Sequence, residues 1–526
     1  MILCGLFGAI LIVIGAVLGW GQYLMIYVLI IVRQDIPLID GTVSYKAWSS
    51  PMNLLFSCYL FNVTNPDDVM QGDKPNFVEY GPFTYDVLFE KKIIDVDEET
   101  DEITYMGKST YTFNRHKSLN VSSSDKVTIL NPAYIGTILT LATLPAQIME
   151  KYGDNIPKLF PNHSSIFLKA RPVDILFNGV KVTCNVNKFP ELKLICKTLG
   201  AKPPPVLRAT EKEGVYFLSI FQRMNGTISG PFSINRGLKN LTRLGDTTSF
   251  KGKRFQTFWS SESCNKVRGT DTITWAPLVE PLPSVSTFIP ELCRSIDADY
   301  ELDLSINGLI GSRYAMKERV WFLNETECYC AVVQKKKECL PQGLIDVAEC
   351  QEAPIIMSEP HFLHGDPALL SYARGLKPDE KHHSTFIVIE PVTGAPLSGQ
   401  KKIQLNLRLS RHPVELLSNV SEGFFPLMWC EKGNTPTLSV IAPSYQSVRL
   451  IRLLSFLQYL PLIIGIYMVL LAAFLRCSAG RKLQPPIPMS ELILVSPHLQ
   501  INNAARGAPR QPGYTFERFQ RATTVL

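Results

Sequence analysis

Residues 324–339 read NETECYCAVVQKKKEC and lie within a segment, Cys264–Cys350, that holds six of the twelve cysteines in the chain. Cys328 and Cys330 stand two positions apart, too close to bond each other easily in ordinary disulfide geometry. We therefore expect each to reach a different, more distant partner. A metal site would need paired ligands such as C-x-x-C, and the segment contains none. The six cysteines thus indicate disulfides, which form in an oxidising compartment.

The N-x-S/T glycosylation motifs indicate the same compartment. None of them lies before residue 62 or after residue 421. Because they are confined to the middle of the chain, they predict a glycosylated lumenal or extracellular domain. The acceptors are Asn62, Asn120, Asn162, Asn225, Asn240, Asn324 and Asn419.

The net charge of +6 comes mostly from the C-terminal tail. Residues 476–526 carry seven Lys and Arg against two Glu, which leaves about +1 for the rest of the chain. The middle is nearly neutral, so nothing predicts a nucleic-acid partner. The tail is also rich in proline and glycine, and we predict that this basic cytosolic segment is disordered.

Two apolar segments predict membrane anchors. Residues 1–32 contain no charged side chain and exceed the ~20 residues that cross a bilayer. A signal peptide would have a basic start and a shorter apolar core, so an uncleaved helix is favoured. Gly15 and Gly19 form a small-xxx-small pair that lets another helix approach closely, although glycine enrichment in membrane helices explains the pair equally well.

The second anchor is predicted at 450–475, where Leu453–Leu475 is apolar and basic residues follow it. With the glycosylated middle outside, both termini face the cytosol of a multi-pass plasma membrane protein, as the basic cluster also indicates. Cys477 is either a palmitoylation site or a plain cytosolic thiol.

The ectodomain, 33–449, is predicted to be mostly β. Ile403–Leu409 alternates apolar and polar residues, the pattern of a half-buried strand. Val215–Phe221 is a continuous apolar run, typical of a strand buried on both faces. Further strands are predicted at 83–89 and 385–392. Turns are predicted at Asn178-Gly179, Asn225-Gly226 and Asn307-Gly308.

Residues 131–160 are the helical exception. Ile135, Ile138, Leu139 and Ala142 follow helical spacing, a break is predicted at Pro145, and a second helix is predicted to end near Tyr152. These apolar residues indicate either an ordinary buried helix or a surface that touches lipid or a partner.

The chain contains no G-x-S-x-G elbow, no P-loop and no H-E-x-x-H motif. His361 and His364 lie near Asp366, and His382 is next to His383, so metal binding is conceivable there. We interpret these histidines as solvated loop residues. The sequence therefore predicts no enzyme, no catalytic or metal site and no cofactor.

Short motifs through most of the ectodomain carry a family resemblance. They are Asn65-Pro66-Asp67-Asp68-Val69, Tyr80-Gly81-Pro82-Phe83-Thr84-Tyr85, Gly269-Thr270-Asp271, Leu292-Cys293-Arg294-Ser295-Ile296, Cys328-Tyr329-Cys330, Gly343-Leu344-Ile345-Asp346-Val347, Pro360-His361-Phe362-Leu363, Glu390-Pro391-Val392-Thr393-Gly394 and Pro426-Leu427-Met428-Trp429. In this order, between two anchors, they resemble the class B scavenger receptor family. The resemblance implies the disulfides Cys264–Cys328, Cys293–Cys350 and Cys330–Cys339.

One branch of that family is the most similar. Residues 174–180, DILFNGV, followed by Cys184 and Cys196, resemble the sensory neuron membrane proteins of insect chemosensory cells. Cys184 and Cys196 are candidates for a fourth disulfide, while Cys58 and Cys430 receive no partner. Two segments depart from the family pattern, Trp275-Ala276-Pro277 and Pro161-Asn162-His163. The second lacks the lysines of scavenger members, which weakens any case for binding anionic lipoprotein particles there.

The resemblance implies an α+β fold, in which a large antiparallel β-barrel ectodomain has a helical cap near 131–160 and is anchored by two transmembrane helices. An apolar tunnel would carry a hydrophobic ligand to the bilayer without a catalytic group. Without such a tunnel, exposing a chain of ~16 carbons to water would cost ~13 kcal/mol of free energy. The candidate ligand-entry residues in the cap are Ile135, Ile138, Leu139 and Ala142.

The implied function is a membrane receptor or transfer protein for lipid-type ligands such as fatty-acid-derived pheromones, located in chemosensory neuron cilia. Its implied partners are the ligand, the bilayer and an odorant or pheromone receptor. Two alternatives remain, a general scavenger or lipid-uptake receptor of the same family and a two-span ligand-gated channel.

Overall fold

A computed structural model describes residues 2–21, 34–118, 121–122, 124–201, 203–204, 206–277, 281–321, 329–333, 336–434, 446, 448–450 and 453–482. The chain divides into one unit of residues 1–15 and 461–526 and a second unit of residues 16–460. The predicted disorder of the tail beyond residue 482 lies outside the described residues.

Most of the strands in the second unit belong to one 13-stranded antiparallel sheet. The strands are β1 (Met52–Val63), β2 (Phe77–Asp97), β3 (Glu102–Phe113), β4 (Val127–Leu130), β5 (Phe167–Ala170), β6 (Val180–Thr183), β7 (Leu207–Ala209), β8 (Val215–Leu218), β9 (Ile228–Asn235), β10 (Thr247–Phe250), β11 (Ser284–Ile289), β12 (Arg294–Ile306), β13 (Leu309–Ala315), β14 (Ala331–Val333), β15 (Lys336–Glu338), β16 (Ile345–Asp346), β17 (Ile356–Ser358), β18 (Phe386–Ile389), β19 (Pro396–Leu409) and β20 (Gly423–Asn434).

The main path of this sheet runs β10-β9-β3-β2-β1-β20-β19-β18-β13-β12-β11, with β17 beside β19 and β16 beside β17. The first and last strands, β1 and β20, are therefore neighbours. Asn307 and Gly308 form the predicted turn between β12 and β13, since Ile306 pairs with Leu309. Smaller sheets are formed by β4-β5, by β14-β15 and by β6-β8-β7.

Gly269 and Thr270 connect the two edge strands of the large sheet. The N–H of Thr247 in β10 donates to the carbonyl of Gly269 (2.7 Å), and the N–H of Thr270 donates to Ser286 in β11 (3.0 Å). Gly269 has φ 79°, and a Cβ there would lie 2.4 Å from the carbonyl carbon of Ser286, so the close approach needs glycine. The sheet is thus nearly closed, which agrees with the predicted antiparallel α+β class.

The described helices are mostly short. They are α1 (Ile2–Gly21), α2 (Val43–Ser49), α3 (Pro66–Met70), α4 (Pro132–Leu141), α5 (Ala146–Tyr152), α6 (Lys193–Ala201), α7 (Glu262–Asn265), α8 (Ala348–Gln351), α9 (Ala368–Ser371), α10 (Glu380–His383) and α11 (Leu460–Lys482).

The cap helices follow their local sequence signals. Asn131 caps α4, since its side chain accepts hydrogen bonds from the N–H groups of Ala133 and Tyr134, and a proline occupies the first turn. Helix α5 begins after Pro145 and ends at Tyr152. The predicted break and the predicted end both agree with the structure, because proline and the capping residues act locally.

The hydrophobic core lies against one face of the large sheet, which we call the core face. Along β2, Phe83, Tyr85 and Val87 are buried in alternation with the more exposed Asp86 and Leu88, as the pleat of a strand requires. The core face packs against the cap, so a single cluster of buried side chains joins sheet and helices. Burial of this apolar surface is the main source of stability for the second unit.

The prediction for Val215–Phe221 was wrong. Strand β8 covers only Val215–Leu218, and its residues alternate between half-buried and buried. Tyr216 and Leu218 face the main core, whereas Val215 and Phe217 remain partly exposed. The small sheet β6-β8-β7 packs on the core through one face only. A strand made of apolar residues is therefore buried on one face here, and its other face stays partly exposed.

The membrane prediction is supported for one segment. Among the described residues, Val448–Ala479 is the helical segment long and apolar enough to cross a membrane, with a mean hydropathy of 2.2. Leu3–Gly19 is a shorter apolar helix. Residues 22–33 of the predicted first anchor lie outside the described part of the chain.

Glycines of α1 lie against the C-terminal apolar segment. A Cβ on Gly8 would lie 3.0 Å from the carbonyl oxygen of Gly465, and one on Gly15 would lie 2.6 Å from the Cα of Leu462. In the other unit, a Cβ on Gly19 would lie 2.5 Å from the ring of Tyr459. These contacts favour close helix approach as the reason for the glycine pair.

Candidate functional site

The four candidate entry residues run from the core to the surface along the cap helix. Ile135 and Ile138 are 2% and 1% exposed and belong to the main core cluster. Leu139 is partly buried, and Ala142, at the C-terminal end of α4, is exposed. Most of this stripe therefore packs as an ordinary buried helix does, and ligand contact by the four residues stays a prediction.

A depression of about 410 Å³ lies on the cap beside α5 and α6. Helix α6, all nine of whose residues are described, buries none of them, and Leu194 is 51% exposed. A disulfide between Cys184 and Cys196 ties this otherwise loosely packed helix to the chain before it. The depression is lined by Lys151, Tyr152, Asn155, Glu191, Lys193, Leu194 and Lys197.

The depression is cationic. Glu191 is its one acidic lining residue, and Lys158 already forms an ion pair with that carboxylate. The hydrogen bond from Lys158 lowers the pKa of Glu191, so this carboxyl stays ionised and paired. In the described part of the chain, Lys151, Lys193 and Lys197 make no ion pair. Unpaired ammonium groups beside Leu194 suit a ligand with an anionic head and an apolar body.

An aromatic group occupies the core face below the cap. Phe56 of β1 contacts Tyr111 of β3 and Phe221, with ring centroids 5.4 and 5.2 Å apart. Phe177 lies 4.5 Å from Tyr85 and 5.2 Å from Tyr111. The family motif at 174–180 therefore places an aromatic ring inside the nearly closed sheet.

The aromatic group lies well below the cap. Asn62, near the end of β1, accepts a hydrogen bond from the N–H of Thr128 at the base of the cap (2.8 Å). Phe56 is six positions earlier on the same strand. A strand rises ~3.3 Å per residue, so this position lies about 20 Å along β1 from the cap.

Glu79, His361 and His383 form a polar cluster, with one possible ligand atom from each within 4.8 Å of the others. The N–H of Lys377 donates to Nδ1 of His361 (3.1 Å), and the N–H of Asp379 donates to Nδ1 of His383 (3.0 Å). An imidazole whose Nδ1 accepts a hydrogen bond carries its proton on Nε2. The Nε2–H of His361 then donates to Glu79 (2.7 Å), and neither ring keeps a free nitrogen lone pair, so this arrangement does not fit a metal ion.

The interpretation of the histidines as solvated agrees with the structure for His382, whose side chain is 68% exposed, and was wrong for His361 and His383. His361 and His383 are only 4% and 7% exposed. Burial, followed by the neighbouring His361, lowers the pKa of His383 to about 4. Burial alone would raise the pKa of Glu79, but hydrogen bonds from His361 and Trp429 lower it. His364 is half-buried, and its Nδ1 lies 2.7 Å from Oε2 of the buried Glu359.

The structure joins Cys293 to Cys350, Cys330 to Cys339 and Cys184 to Cys196. Cys264 is disulfide-bonded, but its expected partner, Cys328, lies outside the described residues. Cys58 and Cys430, which sequence reasoning left without partners, are bonded across β1 and β20. Their separation of 372 residues left no local signal for this pairing.

The predicted modification sites differ in accessibility. Asn162, Asn240 and Asn419 are exposed, whereas Asn62 and Asn225 are half-buried. The Asn225 side chain pairs with both the N–H and the carbonyl of Tyr111. Asn120 and Asn324 lie outside the described residues. Cys477 is exposed and makes no disulfide, so its palmitoylation stays a prediction.

Comparison with known proteins agrees with the family resemblance found in the motifs. The chain is 30% identical to sensory neuron membrane protein 2 of Heliothis virescens over 466 residues, which cover 86% of this chain and 89% of the relative. It is 32% identical to the protein of the same name from Ostrinia furnacalis, over 89% of this chain and 92% of the relative. Sensory neuron membrane protein 1 of Apis mellifera is 33% identical, over 76% of this chain and 77% of the relative.

A family model described as the CD36 family matches residues 6–476, from α1 into α11. The match covers nearly the whole chain, including the cap, the nearly closed sheet and the cysteine-rich segment. The predicted resemblance, including its sensory neuron membrane protein branch, is confirmed. The chain belongs to the CD36 family.

Proposed function

We propose that this protein is a membrane receptor or transfer protein that captures lipid-type ligands, such as fatty-acid-derived pheromones, on its cap. Membership of the family supports a membrane receptor or lipid-binding role, and the names of the relatives support a place in sensory neurons. The observation that carries the proposal is the cap depression, where Lys193 and Lys197 flank the exposed Leu194. Such a surface binds both parts of an amphipathic anion.

From the cap the ligand would pass along the core face, past the aromatic group, to the membrane or to a chemosensory receptor. An enclosed apolar path removes the cost of exposing the chain to water, ~0.8 kcal/mol per methylene. This role needs no bond-breaking group, so we propose a receptor and not an enzyme. An odorant or pheromone receptor is the proposed partner that takes up the ligand.

Two membrane anchors with both termini in the cytosol complete the proposal. Val448–Ala479 supports the second anchor by length and hydropathy, and the apolar α1 supports the first. The basic residues after Leu475 support a cytosolic C-terminus. Ciliary location in chemosensory neurons follows from the proposed partner.

Charge reversal on the cap tests the proposal. The double variant Lys193→Glu/Lys197→Glu should slow uptake of a fluorescent long-chain fatty acid by cells at least tenfold, because one charge-assisted contact is worth ~1.5–3 kcal/mol. Lys181→Glu, an exposed lysine on β6 that does not line the depression, is the matched control. Surface delivery of each variant is measured with an antibody against the ectodomain. Normal uptake by a correctly delivered double variant would contradict the proposal.

A further inference from the structure

The side chain of Asn225 takes part in the pairing of the large sheet. Its Oδ1 accepts a hydrogen bond from the backbone N–H of Tyr111 in β3 (2.8 Å), and its Nδ2 donates to the backbone carbonyl of the same residue (3.3 Å). Next along the chain, the N–H of Gly226 donates to the carbonyl of Ser109 (2.8 Å). In an antiparallel ladder, two opposite residues exchange an N–H and a carbonyl in this way, and here the side-chain amide takes the place of the second residue.

Tyr111 needs this partner because it lies in the protein interior. The residue is only 6% exposed, so its N–H and carbonyl have to find hydrogen bonds within the protein. The paired residues of β3 and β9 end at Lys108 and Ile228, so within the described ranges no residue of β9 lies opposite Tyr111. Asn225 thus occupies an otherwise open position in the sheet. It also holds the Tyr111 ring in the aromatic group beside Phe56.

This double contact determines which hydrogen of the amide is used. A planar side-chain amide carries two hydrogens on nitrogen, one on the same side as Oδ1 and one on the far side. Only the first can donate to a residue that also binds Oδ1. An N-linked glycan makes the side chain a secondary amide, and the favoured trans form places the sugar where this first hydrogen stood. A glycan on Asn225 would therefore remove the bond to the Tyr111 carbonyl and collide with β3.

Two other acceptors have the opposite arrangement. Oδ1 of Asn240 accepts hydrogen bonds from the hydroxyl (2.7 Å) and the N–H (3.0 Å) of Thr242. Oδ1 of Asn162 accepts the same pair of bonds from Ser164 (3.0 and 3.3 Å). Both asparagines are exposed, and in the described part of the chain neither Nδ2 makes a hydrogen bond. A glycan on either nitrogen leaves the contacts of the fold intact.

We propose that Asn225 stays free of glycan and serves as a pairing residue of the sheet, whereas Asn162 and Asn240 carry glycans. The N-x-S/T motif at Asn225-Gly226-Thr227 is complete, so the sequence alone gives no reason to set it apart. A chain modified at Asn225 has to fold with a buried Tyr111 carbonyl unpaired and with sugar against β3. Chains that are unmodified there fold without this cost and are the ones that reach the cell surface.

Removal of glycans in heavy-oxygen water tests the proposal on full-length protein taken from the surface of insect cells. A peptide N-glycosidase converts each glycosylated asparagine to an aspartate that carries the heavy oxygen, which peptide mass spectrometry locates. Asn162 and Asn240 should carry the label, and Asn225 should remain an unlabelled asparagine. A parallel sample without glycosidase corrects for spontaneous deamidation at Asn225-Gly226. Label at Asn225 in most surface molecules, or its absence from both Asn162 and Asn240, would overturn the proposal.

Two substitutions separate the glycosylation motif from the pairing. Thr227→Ala, at an exposed residue, abolishes the motif but keeps Asn225, so the electrophoretic mass and the unfolding midpoint should match the wild type. Thr242→Ala, the matched change at Asn240, should lower the mass by one glycan. Asn225→Ala should leave the mass unchanged and lower the unfolding midpoint by about 2 °C, because both bonds to Tyr111 are lost.

A reduced mass of Thr227→Ala, or an unchanged midpoint in Asn225→Ala, would overturn the proposal. Retention of Asn225→Ala inside the cell, with normal delivery of Thr227→Ala at wild-type mass, supports it as a lowered midpoint does.

Discussion

The backbone N–H of Asp379 donates a hydrogen bond to Nδ1 of His383 over 3.0 Å. Protonating that ring would place two N–H groups against each other, so the folded protein holds His383 neutral. Because the pKa of His383 falls from 6.5 to about 4 on folding, the unfolded chain binds more protons between these values. The contribution of His383 to stability is therefore complete above pH 6.5 and is lost progressively as the pH falls toward 4.

We predict that the free energy of unfolding drops by roughly 3 kcal/mol over that interval because of His383 alone. His383→Asn should remove this part of the pH dependence, since the Oδ1 of asparagine replaces Nδ1 as the acceptor. Thermal unfolding of the full-length protein at a series of pH values measures the effect. His382→Asn, at a neighbouring side chain that is 68% exposed, is the control and should behave as the wild type. An unchanged pH profile in His383→Asn would refute the assignment.

A disulfide that closes a long loop should contribute more to the free energy of unfolding than one that closes a short loop. The bridge Cys58–Cys430 spans 372 residues, and Cys184–Cys196 spans 12. By loop-closure entropy, losing the long bridge should cost about 3 kcal/mol more than losing the short one. Paired Cys→Ala variants at each bridge, unfolded by denaturant without reductant, provide the comparison. Equal midpoints in the two variants would show that chain entropy does not set their contributions.

The buried and exposed ends of the cap helix should respond differently to substitution. Ile138→Ala should destabilise the protein by roughly 2–5 kcal/mol, because it leaves a cavity in the main core. Ala142→Gln, at the exposed end of the same stripe, should change stability by less than ~0.5 kcal/mol. Thermal unfolding and surface delivery report on both variants. A destabilised Ala142→Gln would indicate that this end also packs against the protein.

Epitope tags test the arrangement of the anchors. A tag at either terminus should be protected from antibody in intact cells and accessible after permeabilisation, since both ends are proposed to be cytosolic. A tag in the exposed turn Asn307-Gly308 is the positive control for the outside surface. Staining of an N-terminal tag in intact cells, or recovery of a mature chain that lacks residues 1–32, would contradict the two-anchor proposal.

Local signals in the sequence were read correctly more often than long-range ones. The break at Pro145 depends on neighbouring residues and was predicted. The strand Ile403–Leu409 was also predicted, but its polar face was expected to be solvated. Gln404 and Asn406 are instead fully buried, since Gln404 accepts the N–H of His361 and Asn406 donates to Ser358. Alternation along one strand cannot show that another segment covers it.

The same limit applies to the candidate site. Lys151, Glu191 and Lys197, which line the cap depression, belong to no recognisable motif. Phe56 and Tyr111 of the aromatic group come from strands far apart in the sequence, and only the folded sheet brings their rings together. The apolar stripe at 131–160 was visible from its spacing, yet its burial depended on contacts with distant strands. The signal that could have identified the depression is the pair of lysines, Lys193 and Lys197, on either side of apolar residues in a nearly neutral domain.

The bond between Cys58 and Cys430 has a consequence for the order of events during synthesis. Translation at ~5–20 residues per second leaves roughly 20–75 s between the emergence of the first cysteine and that of its partner. Throughout that interval β1 has no neighbour on the β20 side, and every cysteine between Cys58 and Cys430 is synthesised before the correct partner. The bond that joins β1 to β20 can therefore form only after nearly all of the large sheet has been synthesised.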